Sequence, residues 1–158
     1  IAVPHFAGSG TPNMNPNSKG AFFGLTLDTN DSTLYKAILE GIAYEMMFNI
    51  ECLRKYGINI KTLKASGGGA RSSVWLQIKA DITGIPITPL ANAEGGATGA
   101  AMLAAVACGI YPDLESAAKN FVNEKETIMP NKLKHDIYLE LYENYKKARE
   151  FTINGAVK

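Results

Sequence analysis

Cysteine is scarce. The 158 residues hold two, Cys52 and Cys108, far apart and without a Cys-x-x-Cys. A disulfide framework is therefore not expected, and with His5 and His135 also widely separated neither is a zinc site. Both cysteines sit in apolar, helix-like runs, which predicts buried free thiols in a reducing compartment. An excess of one charge is missing too. With 16 basic and 15 acidic residues, the net charge is +1, so there is no electrostatic ground for a nucleic-acid or membrane partner. Long apolar runs are lacking as well. The most apolar window, 97–110, falls short of the ~20 residues of a membrane span, and its alanines and glycines suit close helix packing. The opening IAVPHF has no basic stretch and no cleavage site, so no targeting segment is expected and the location read from the sequence is cytoplasmic. It starts at Ile1, not Met, as a piece of a longer protein would.

Apolar residues at 46% and charged residues at 20% suit a soluble domain with a real core. Residues 7–20, AGSGTPNMNPNSKG, read as a long loop. Residues 21–27 read as a strand, with Gly24 a bulge or close-approach point. A helix capped by Asp31 or Ser32 runs to about Tyr56, with its apolar stripe at Tyr35, Ile38, Leu39, Ile42, Met46, Ile50 and Leu53. Gly41 inside it permits a close crossing, and Gly57 stops it. A strand over 58–66 follows. Ser72 or Ser73 then starts a helix closed by Gly84. A short strand at 86–89 precedes an Ala-rich helix over 97–108, closed by Gly109. Asp113 caps a short helix, 123–131 is a polar connector, and a last helix over 132–152 has its stripe at Leu133, Ile137, Leu141, Tyr145 and Ala148. Strands alternating with helices predict an α/β domain with helices packed on a sheet.

The stretch KASGGGARSS places Gly67, Gly68, Gly69 and Ala70 between a strand and a helix. Glycine allows positive φ and close approach of another group, and free N–H groups at a helix start attract phosphate. A tight structural turn and a nucleotide cradle both fit. Walker-type and Gly-x-Gly-x-x-Gly patterns are absent. Gly95, Gly96 and Gly99 open a second helix after a strand, and two such strand ends side by side form a ligand crevice. Ser72 and Ser73 have hydroxyls to cap the helix or bond a base or ribose. Other conspicuous residues take structural readings. Trp75 packs beneath the loop, Met46 and Met47 fill core, Tyr138, Tyr142 and Tyr145 pack or lie at an interface, and His5 is structural or solvated.

The strings SGGGARSSVWLQIKADITGIPI and EGGATGAAMLAAVACGIYPDLESA, with HFAGSGTPNMNPNSKGAFFGLTLDTNDSTLYKAILEGIAYEM upstream, strongly resemble the C-terminal domain of the FGGY carbohydrate kinases. The resemblance implies an actin-like, ribonuclease-H-like fold. Residues 1–122 are then the ATP-binding part of a kinase domain, and 123–158 a connector and C-terminal helix packed on it. It implies ATP with Mg²⁺ as cofactors and a ketose or polyol as substrate, with a pentulose such as xylulose favoured. Gly68, Gly69 and Ala70 would lie along the ATP phosphates and ribose, and Ser72 and Ser73 near adenine. Glu94, Gly96 and Gly99 would belong to the opposite wall of the adenine pocket, and Arg71 would face solvent.

Many members read S-G-E-R-T-P where this chain has Ala7-Gly8-Ser9-Gly10-Thr11-Pro12. The family's catalytic Asp, in a Gly-Asp-Gln-like motif, its γ-phosphate loop and its sugar-binding domain have no counterpart in the sequence. The remaining aspartates read as turn chemistry (Asp28), a cap (Asp31) and a helix-face residue (Asp81). The expectation is an ATP-binding half that cannot phosphorylate sugar alone. The other function class that fits is a non-catalytic nucleotide-binding or interaction domain of the same fold. Apolar faces and strand edges left open would favour a homodimer.

Overall fold

A computed structural model describes residues 1–91 and 94–154. The elements are β1 (Ala2–Val3), β2 (Ala21–Phe22), α1 (Asp31–Lys55), β3 (Leu63–Ala65), α2 (Ser73–Thr83), β4 (Ile87–Pro89), α3 (Gly95–Ala107), α4 (Leu114–Phe121) and α5 (Lys132–Ile153), with a 3₁₀ turn at Gly68–Arg71. From β2 onward the order matches the alternation in the sequence, and β1 is an additional strand in the opening IAVPHF. The strands are shorter than predicted: 21–27 contracts to its first two residues and 58–66 to its last three before Ser66. The strands pair as two two-stranded sheets among the described residues, β1 with β2 antiparallel and β3 with β4 parallel.

The chain divides into two compact units. The first comprises 1–60, 78–84 and 130–158, of which 155–158 lie outside the described residues. Its core joins Val3, Ala43, Tyr44, Met47, Ile82, Tyr142 and Tyr145. Gly41 does permit a close crossing, because a Cβ there would overlap the Ala2 carbonyl oxygen of β1. The α1 cap is Asn30, whose Oδ1 accepts from Thr33 N–H at 3.0 Å, rather than Asp31 or Ser32. At the other end Gly57 takes φ 83°, and the Gly57 and Ile58 N–H groups return to Arg54 and Leu53 in a Schellman closure.

Both long helices bury only part of the predicted stripe: Ile50 of α1 and Tyr145 of α5 are buried as expected and Ala148 packs on the core, but the rest of each buried face is shifted. On α1 the buried residues are Gly41, Ala43, Tyr44, Met47 and Ile50, while Tyr35, Ile42 and Leu53 are exposed. On α5 Tyr142, Tyr145 and Arg149 are buried, while Leu133, Ile137 and Leu141 are exposed. The reason is chemical. The tyrosine hydroxyls of α5 donate to carboxylates of α1: Tyr138 to Glu40 at 2.8 Å, Tyr142 to Glu51 at 2.9 Å and Tyr145 to Glu45 at 2.7 Å. Tyr44 stacks on Tyr142 and Tyr145, so the rings supply the apolar burial that leucines were expected to give. Asp81 is likewise buried rather than a helix-face residue. Its carboxylate accepts from Asn131 N–H at 2.8 Å, and its carbonyl lies 2.8 Å from His135 Nδ1.

The second unit comprises 61–77 and 85–129. The predicted connector is more than a linker: Ile128 and Ile87 exchange two backbone hydrogen bonds, and Lys125 N–H donates to the Pro89 carbonyl, so it runs antiparallel to β4. Asp113 caps α4 as predicted, accepting from Ser116 N–H at 2.7 Å. Cys52 is half-buried and Cys108 exposed, so the expectation of two buried thiols fails at Cys108, which caps the solvent-facing end of α3.

Candidate functional site

The second unit brings the two glycine clusters together. β3 and β4 run parallel in the register Leu63↔Ile87, Lys64↔Thr88 and Ala65↔Pro89. Leu90 N–H donates to the Ala65 carbonyl at 2.8 Å, so both strands end side by side. β3 is followed by the Gly68–Arg71 3₁₀ turn and α2, and β4 by α3.

After β3, Gly67 adopts φ 82° and ψ −173°. Gly68, Gly69, Ala70 and Arg71 then wind into the 3₁₀ turn, in which Ala70 N–H donates to the Gly67 carbonyl at 3.1 Å. Ser72 is extended, and its Oγ accepts from Trp75 N–H at 3.3 Å, so it caps α2 while Ser73 is the first helical residue. After β4, Glu94 precedes α3 without a side-chain cap bond, and its carbonyl accepts the first helical bond from Thr98 N–H at 3.0 Å.

The start of α3 meets the loop that follows β3. A Cβ built on Gly95 would stand 3.1 Å from Ser66 Oγ. Across the opening, Arg71 Nη2 and Glu94 Oε1 are 3.8 Å apart, both side chains largely exposed. Arg71 therefore faces solvent but leans to the second cluster. A small apolar pocket of about 100 Å³ adjoins the start of α3, lined by Leu90, Gly95, Gly99, Met102 and Phe121 among others. Lys64 pairs with Glu124 nearby.

The glycines are there for different reasons. Gly67 needs its positive φ. Gly69 needs its missing side chain, because a Cβ would lie 2.8 Å from Trp75 Cζ3. Trp75 is half-buried beneath the loop, as read from the sequence. Gly68, Gly96 and Gly99 have neither constraint. Their φ is not positive, and a Cβ on any of them would meet nothing within 4 Å among the described residues. Two of them lie inside a helix, where glycine costs about 1 kcal/mol against alanine.

A family model described as "FGGY family of carbohydrate kinases, C-terminal domain" matches residues 1–108. The chain belongs to this family. It is 34% identical to a xylulose kinase of Staphylococcus epidermidis over 92% of its own length and 29% of that protein's, and 37% identical to a glycerol kinase of Lactococcus lactis over the same shares. It superposes on the crystal structure of a ligand-bound xylulose kinase from Lactobacillus acidophilus with a TM-score of 0.84 at 27% identity, covering 95% of this chain and 30% of that one. The chain thus spans about three tenths of the length of the relatives it matches. Its architecture is the actin-like α/β fold of these FGGY kinases, with the C-terminal helix α5 included in the superposed length.

Three of the structural features above escape a reading of the sequence: the Arg71–Glu94 approach, the Ser66–Gly95 contact, and the apolar pocket beside Gly99. Only the last had a signal, the small residues of GGATGAA, which leave space on one helix face.

Proposed function

We propose that this chain is the ATP-binding half of a sugar kinase that transfers the γ-phosphoryl group of ATP to a hydroxyl of a ketose or polyol. The observation that carries the proposal is that the glycine-led segments after the parallel strands β3 and β4 come together, and that Gly68, Gly96 and Gly99 in them have neither a positive φ nor a described neighbour within 4 Å of a Cβ position. Bare backbone at two helix starts is what a polyphosphate ester needs for close approach, and the helix dipoles favour its charge. The fit extends to the base, for which the apolar pocket between Leu90, Met102 and Phe121 offers a slot. In this reading Gly68, Gly69 and Ala70 hold phosphate and ribose. Ser73 lies near adenine, and Ser72 holds the α2 start in place through its cap. Glu94, Gly96 and Gly99 form the facing wall.

ATP supplies the transferable phosphoryl group. This chain's residues bind and orient it and keep the adenosine end from moving, which is the larger part of such catalysis. Mg²⁺ fits less well. Among the described residues no cluster of three or more His, Cys, Asp or Glu stands ready to ligate it, and no step is assigned to it. Of the five aspartates, Asp28 lies in the 26–29 turn, Asp31 in the first turn of α1, Asp81 holds the start of α5, Asp113 caps α4, and Asp136 is exposed on α5. We therefore assign the base that accepts the sugar hydroxyl proton to a region beyond this chain, and expect the chain alone to make no sugar phosphate. A pentulose is favoured as substrate because xylulose kinases recur among both the sequence relatives and the structures. The cytoplasm, where ATP is abundant, is the proposed site of action.

In the complete kinase, Gly96→Val is expected to raise the KM for ATP at least tenfold while leaving the KM for the sugar within about twofold. Equal effects on both substrates, or none on either, would remove the crevice from the ATP site.

A further inference from the structure

The two segments that border the glycine crevice carry very little charge. Residues 66–73, SGGGARSS, hold a single charged side chain, Arg71, and residues 94–102, EGGATGAAM, hold a single one, Glu94. These two meet across the opening, with Arg71 Nη2 3.8 Å from Glu94 Oε1. Lys64, the nearest cation upstream on β3, is engaged by Glu124. Together the two segments are electrically neutral, and their one cation is turned to the far wall.

This pair is easily parted. Its separation is near the outer limit for an ion pair, and the side chains are 71% and 82% exposed. Pairs so open to water contribute little to stability. Parting them strands neither charge. Glu94 stays hydrated and keeps a favourable place just ahead of the α3 N-terminus. Arg71 becomes free to turn to another anion. A guanidinium binds phosphate through two parallel N–H groups, which is among its strongest pairings. Arg71 is the last residue of the Gly68–Arg71 turn, so a phosphate held against the Gly68 and Gly69 backbone lies within the span of its side chain.

We propose that Arg71 is the residue that distinguishes a nucleoside polyphosphate from the bare nucleoside, and that Glu94 is its internal competitor: Arg71 bridges to Glu94 across the mouth of the empty crevice and exchanges that carboxylate for the phosphate chain when nucleotide enters. The exposure of Arg71, expected from the sequence and found here, is then its state without ligand. The inference rests on the reading of the crevice as a nucleotide site. It adds a side chain that recognises the phosphates and a carboxylate that opposes them, where that reading invokes backbone and helix dipoles alone.

The test is amide NMR titration of the full chain with ATP and Mg²⁺, and separately with adenosine. Arg71→Gln should weaken ATP about tenfold while changing adenosine less than about twofold. Arg71→Lys, which keeps the charge but not the fork, should recover only part of the loss. Glu94→Gln should tighten ATP about threefold, and most of that gain should be absent when Arg71→Gln is also present. The fall of ATP affinity with added salt should be shallower in Arg71→Gln than in the unaltered chain. Equal losses for ATP and adenosine in Arg71→Gln would mean that Arg71 only shapes the loop, and unchanged ATP affinity in both single variants would make the pair incidental. Either result overturns the proposal, yet leaves the nucleotide reading standing if ATP still shifts Gly68 to Ser73. Absence of ATP binding at the crevice in the unaltered chain would overturn both.

Discussion

Trp75 lies so close beneath Gly69 that a single added carbon would sit 2.8 Å from its Cζ3 atom. The indole sets the shape of the glycine loop from below. Gly69→Ala is therefore expected to destabilise the chain by about 1–3 kcal/mol through overpacking. Gly69→Ala combined with Trp75→Leu should recover part of that loss. Denaturant unfolding of the two single variants and the pair provides the check, and strict additivity would mean that the two residues do not interact.

Gly68 and Gly96 should behave in the opposite way. With no positive φ and no neighbour to strike among the described residues, Gly68→Ala and Gly96→Ala are expected to stabilise the chain by about 0.5–1 kcal/mol each. ATP affinity should fall in both. A rise in Tm accompanied by weaker nucleotide binding is the signature of glycines kept for a ligand. A rise in Tm with unchanged binding would mark them as incidental.

The pair Glu45 and Arg149 ties α1 to α5 with a 2.7 Å bond, and Arg149 also lies over the Phe48 ring at 3.9 Å. Arg149→Met would leave the Glu45 carboxylate largely buried without its counter-ion, at a cost of about 3 kcal/mol or more. The double variant Arg149→Met with Glu45→Gln should lose less than the sum of the singles. Thermal unfolding of all three variants decides the point.

The tyrosine layer makes stability sensitive to alkali. Burial first, and neighbouring carboxylates second, push the Tyr44 and Tyr142 phenols well above the ordinary value of 10.0, and Tyr138 and Tyr145 move the same way. The folded state then holds protons that the unfolded chain releases near pH 10. Their contribution to stability is intact below about pH 10 and declines as pH rises beyond it. Phenolate absorbance should therefore show Tyr44, Tyr138, Tyr142 and Tyr145 ionising only together with loss of helix. Ionisation of these four near the ordinary value with the helices intact would contradict this.

The order of elements and the glycine crevice were legible in the sequence because both depend on local chemistry. Positive φ at Gly57, Gly67, Gly84 and Gly109, and the caps at Ser72 and Asp113, follow from residue type and position. The buried faces of α1 and α5 were legible only in part. Apolar spacing selects Ile50, Tyr145 and Ala148, which do face the core, but also Leu133, Ile137 and Leu141, which stay exposed because the tyrosines find carboxylates across the interface. The Asn30 cap lies one residue before the predicted choices, within the ordinary uncertainty of a helix boundary. The buried role of Asp81 depends on Asn131, fifty residues away in the chain, a distance no local pattern spans.

The most direct measurement is an amide NMR titration of the chain with ATP and Mg²⁺. The account predicts saturable shifts clustered on Gly68 to Ser73 and on Glu94 to Gly99, with the pocket residues Leu90 and Met102 moving in step. Nucleotide binding with shifts elsewhere, or no shift at these residues at millimolar ATP, would contradict the assignment of this crevice to the adenosine end of the substrate.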